Sequence, residues 1–103
     1  MSNWFEEKAK DYIPLSIKDL RKLKLGDMFR VFWAKDNDLK DIRWEFQLVR
    51  VAEITEDYIV DMNGDQWFLD KNAVVSEDVN YADTSRGDAY FYKAELNVHK
   101  NPC

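Results

Sequence analysis

The chain has 103 residues, with 20 Asp and Glu against 15 Lys and Arg, a formal net charge of −5, one His and one Cys. Its hydrophobic share of 46% and aromatic share of 15% exclude a disordered chain, and 3 Gly with 2 Pro argue against linkers. A lone Cys excludes an intrachain disulfide framework or thiolate metal site. The absence of a leader or an apolar run of about 20 residues then gives the expectation of one cytoplasmic, non-membrane domain over 1–103.

Charge is uneven along the chain: net +2 over residues 1–25, −1 over 26–54 and −6 over 55–103. Nucleic-acid affinity rests largely on Lys and Arg neutralising phosphates, so the acidic half points away from direct phosphate binding. It suits a soluble surface or a basic protein partner.

In chain order, Asn3 and Glu6 have capping-box spacing, which predicts a short helix from Trp4 to Lys10 with Phe5, Ala9 and Tyr12 on one face. Pro14 ends it. Ser16 and Asp19 repeat the capping-box pattern, and Ile17, Leu20 and Leu23 predict a second helix over 16–24, stopped by Gly26. Residues 1–25 thus read as a helical segment.

From Met28 the period changes to two. Strands are expected over 28–33, 42–54, 58–62, 66–70 and 89–96, with a tail over 97–103. Within 42–54 the apolar parity shifts after Leu48, which predicts a bulge or sharp bend near Leu48 and Val49. Asn63-Gly64 predicts a hairpin closed by a two-residue I′ turn. Charged positions then set the inward face of each strand: Phe29, Val31 and Trp33; Trp44, Phe46 and Leu48; Tyr58, Val60 and Met62; Trp67 and Leu69; Tyr90, Tyr92 and Leu96. Met28, Phe32, Ile59, Phe68 and Phe91 remain for the outer face, where the helices are expected to lie. The fold class read from this order is α+β, two short N-terminal helices on a five-stranded, strongly bent antiparallel sheet or small barrel over 27–96.

The stretches LKLGDMFRVFW and FQLVRVAEITEDYIVDMNGDQWFL, a Gly-Asp entry, a bent strand and a tight hairpin, together resemble the pattern of SH3-like barrels over about residues 25–70. The resemblance implies a non-enzymatic module of the kind that binds peptides or nucleic acid. It carries no family motif from which functional residues transfer.

Catalytic chemistry finds no constellation. The only His, His99, and the only Cys, Cys103, lie in the expected tail, and the glycines at 26, 64 and 87 are too isolated to cradle phosphate. Asp36, Asp38 and Asp41 lack the Gly and bidentate Glu of a calcium loop. No catalytic residue, metal site or cofactor is therefore assigned.

The leading expectation is a small acidic protein-binding module. It would act as an inhibitor or adaptor of the phage or mobile-element kind, docking on a basic host partner. Glu56, Asp57, Asp61, Asp65, Phe68, Asp70, Glu77 and Asp78 form the expected surface, with phosphate mimicry by the carboxylates as its sharpest form. The alternative is a nucleic-acid-binding barrel using Lys18, Arg21, Lys22 and Lys24. An uncovered edge at strand 89–96 also suggests a homodimer.

Overall fold

The computed structural model describes residues 10–37, 41–84 and 87–96. Its elements are β1 (Tyr12–Pro14), α1 (Ile17–Leu20), β2 (Met28–Asn37), β3 (Asp41–Ile54), β4 (Tyr58–Asp61), β5 (Gln66–Phe68), β6 (Tyr81–Thr84) and β7 (Gly87–Leu96). They form one antiparallel sheet in the order β1-β7-β2-β3-β4-β5, with β6 also paired to β7. The sheet curls until β5 lies beside β6.

The α+β expectation is overturned. Only one helical turn is present among the described residues, and the expected first helix falls mostly outside them. Where that helix was to end, Tyr12–Pro14 is a strand: Pro14 holds Ile13 extended, and a Pro missing its donor is tolerated at a sheet edge. Ser16 does cap α1, its hydroxyl accepting the Asp19 N–H at 3.2 Å. Beyond Leu20 the chain tightens into i+3 bonds, Lys22 N–H to Asp19 O at 3.0 Å and Leu23 N–H to Leu20 O at 3.2 Å. The reason lies in the spacing. Ile17, Leu20 and Leu23 recur only at three, which suits a 3₁₀ path, while the +4 and +7 positions are the charged Arg21 and Lys24. Gly26, at φ +90°, is not a helix stop. It sits third in the turn from Lys24 to Asp27, which needs a positive φ there.

Parity is corrected on three strands. Phe29, Val31 and Trp33 do enter the core, together with Val49, Val51, Ile59, Trp67, Leu69 and Phe91. On β3 the pairing with β2 runs unbroken from Asn37↔Asp41 to Met28↔Arg50, so no bulge occurs at Leu48. The irregularity comes later, between Val51 and Glu53 against β4. Phe46 and Leu48 therefore lie on the opposite face from Val49. There Phe46 stacks on Phe32 at 4.0 Å, meets Tyr12 edge-on at 4.5 Å, and adjoins Tyr92. Aromatics thus cover the second face, where the helices were expected. On β4, Ile59 and Asp61 face in while Met62 is 63% exposed. On β7, Ala89 and Phe91 face the core, so Tyr90 and Tyr92 do not.

Between the expected strands 66–70 and 89–96 the chain forms β6, whose Tyr81 hydroxyl donates to Asp88 Oδ1 at 2.7 Å. That bond to a carboxylate, and then burial, raise the Tyr81 pKa above its ordinary value near 10. Because the folded value exceeds the unfolded one, the contribution is complete below about pH 10 and fades as pH rises above it. The stability gap between the native chain and Tyr81→Phe is expected to shrink across that window in urea titrations. A gap that grows there would contradict the assignment.

Candidate functional site: an acidic cleft between two turns

Two side-chain-organised turns face each other on the acidic half. In the first, the Thr55 hydroxyl accepts the N–H groups of Asp57 (3.2 Å) and Tyr58 (3.1 Å), leaving the Glu56 and Asp57 side chains exposed at the tip between β3 and β4. In the second, the Asp70 carboxylate accepts from Asn72 (3.2 Å) and Ala73 (3.0 Å), and starts the loop that ends at Ser76 and Glu77. Backbone bonds join the walls to the body. Leu69 N–H donates to Asp57 O at 2.7 Å, Lys18 N–H to Glu77 O at 2.9 Å and Ile17 N–H to Val79 O at 2.8 Å.

Between the turns lies an open cleft of about 490 Å³ lined by Glu56, Asp57, Asp70, Glu77, Lys71 and the Val74–Val75 pair. Val75 is 84% exposed, an apolar side chain among carboxylates. Arg21 closes the base of the cleft. Its guanidinium meets Glu77 in a fork, Nε to Oε1 at 2.8 Å and Nη2 to Oε2 at 3.1 Å, and also donates to the carbonyls of Glu56 and Leu69.

The expected site residues separate into groups. Glu56, Asp57, Asp70 and Glu77 converge on the cleft. Of these, only Glu56 and Asp57 have side chains outside the local scaffolding, since Asp70 caps a turn and Glu77 holds Arg21. Asp78 is exposed next to Glu77. Asp65 stands in the hairpin turn, away from the cleft lining.

Asp61 departs most from expectation. It is 1% exposed, and its carboxylate accepts from Asn63 N–H (2.9 Å), Asp65 N–H (3.1 Å) and Trp67 Nε1 (3.0 Å), so it is a building element and not a docking group. It also resets the hairpin. Gly64 N–H donates to Asp61 O at 2.9 Å, which centres the turn on Met62 and Asn63 and leaves Gly64, at φ +90°, as the following bulge residue instead of half of an I′ pair. Phe68 is half-buried against the core and borders a separate hollow with Asp70, Asn72, Ala73 and Asp83.

Two members of the basic set have partners of their own. Arg21 is consumed by the cleft, and Lys22 lies 4.0 Å from Asp19. Arg21 is the residue that sequence reasoning misplaced, because a cation near a helix end reads as solvated. Among the described residues, no three His, Cys, Asp or Glu side chains converge as a metal site. No described helix is long and apolar enough to cross a membrane. No family model, curated protein or solved structure matches this chain.

Proposed function

We propose that the chain is a non-enzymatic protein-binding module, an inhibitor or adaptor, that takes a basic segment of a partner into the cleft between the 55–58 and 70–77 turns. One observation carries the reading: four carboxylates from three separate points of the chain, Glu56 and Asp57, Asp70, and Glu77, line one open cleft beside the exposed Val75. A Lys or Arg side chain suits such a lining, because its aliphatic stem packs on Val75 while its charged head meets the carboxylates. The carboxylates act there much as phosphates would toward a nucleic-acid-binding protein.

The clean test reverses the two charges that hold nothing else. Glu56→Lys with Asp57→Lys moves the formal net charge from −5 to −1, each reversal adding two units. Binding of a fluorescent oligo-arginine peptide at near-physiological salt is expected to weaken at least about tenfold, with unfolding midpoints unchanged. Reversing Asp83 and Glu95, which lie outside the cleft lining, alters net charge equally and serves as control. Equal loss in both variants would mean that bulk charge, and not the cleft, attracts the peptide.

A further inference from the structure

β7, expected at an edge, is an interior strand paired to β2 on one side and to β1 and β6 on the other. Besides the end strands β1 and β5, part of β3 has an open edge. Its pairing with β2 covers Asp41 to Arg50, whereas β4 reaches only from Val51 to Ile54 on the other side. Among the described residues no strand pairs with the β4-side edge of residues 41–49.

The direction of its amides follows from two neighbours. Arg50 O accepts from Met62 N–H at 2.9 Å on the β4 side, while Val51 N–H and O bond Asp27 and Gly26 on the β2 side. Both backbone groups of a strand residue point to the same edge, and the β2 register is unbroken. The backbone groups of Ile42, Trp44, Phe46 and Leu48 consequently point to the open edge. Leu48, 44% exposed, and Met62, 63% exposed, flank it.

We propose that this edge is an interface between two copies of the chain, paired β3 to β3 antiparallel about a two-fold axis at residue 44. The register argues for a second copy. With the axis there, the position of Arg43 falls opposite that of Glu45 in the second copy, twice by symmetry, and Ile42 falls opposite Phe46. Moving the axis one residue either way sets Arg43 opposite Arg43 or Glu45 opposite Glu45. Opposite charges directly across a ladder stabilise it and like charges weaken it, so of these three registers the one centred on residue 44 is the complementary one. This surface is separate from the acidic cleft.

Sedimentation over a concentration series is expected to show a reversible dimer. Arg43→Glu is expected to weaken it at least about tenfold, and Arg43→Glu combined with Glu45→Arg to restore it. Amide exchange of Ile42, Trp44, Phe46 and Leu48 is expected to slow with concentration, while Gln47 and Val49, already facing β2, stay unchanged. A chain monomeric up to about millimolar concentration overturns the proposal. So does a dimer indifferent to the single reversal, or edge amides protected only when another protein is added.

Discussion

Asp61→Ala is expected to lower the unfolding free energy by about 3–5 kcal/mol, the largest effect of any single polar substitution considered for this chain. The change leaves the Trp67 indole N–H without an acceptor inside the core, and frees the Asn63 and Asp65 amides that shape the hairpin. The indole matters most, because Trp67 is fully buried, edge-on to Trp33 at 5.4 Å and to Phe91 at 6.4 Å. Asp61→Asn keeps the shape and one acceptor but points an NH₂ at a donor, so roughly half the loss should remain. Urea unfolding followed by tryptophan fluorescence measures both. A loss below about 1 kcal/mol for the alanine variant would show that water satisfies those donors.

Arg21→Ala follows, with an expected loss of about 2–3 kcal/mol, discounted because the Arg21 side chain is 27% exposed. Arg21 ties α1 to the 55–58 turn through Glu56 O, to β5's exit through Leu69 O, and to the 70–77 loop through Glu77. Its loss should loosen both walls of the cleft together. Arg21→Lys is expected to recover less than half, since an ammonium cannot span the Glu77 fork and two carbonyls at once. Thermal unfolding gives the stability. Limited proteolysis at 70–78 reads the loosening, and cleavage there as slow as in the native chain would contradict the clamp.

The readable parts of the fold were those set by neighbours in sequence. Ser16 and Asp19 announce their own cap, period two marks β2 to β5 and β7, and Gly64 marks a hairpin. What failed was the rule that charges face water. Asp61 is a charge facing the core, and taking it as outward inverted β4. Arg43 misled differently, because β2 and β3 run past Trp33↔Ala89, the last pairing of β2 with β7, and parity beyond it says little about the core. On β7, Lys93 and Glu95 misled because they are exposed although they continue the alternation of the core residues Ala89 and Phe91. The aromatic cluster of Tyr12, Phe32, Phe46 and Tyr92 was illegible for a further reason: a sheet apolar on both faces has no polar side to orient it. For the cleft, composition pointed to the right half of the chain. The separation of Glu56 and Asp57 from Asp61 required knowing which carboxylates were already engaged.

The position of β7 bears on how the chain acquires its shape during synthesis. It is the last strand among the described residues, yet β1, β2 and β6 all hydrogen-bond to it. A nascent chain can form the β2–β3–β4–β5 meander from near neighbours as each emerges from the ribosome. β1 has no strand to join until residues 92–96 arrive, so Tyr12 must wait for Leu96 across most of the chain's length. Completion of the sheet is therefore a late, long-range closure, slow in the way that non-local pairing is slow, and a ribosome-stalled chain ending before Gly87 would leave half the sheet unassembled.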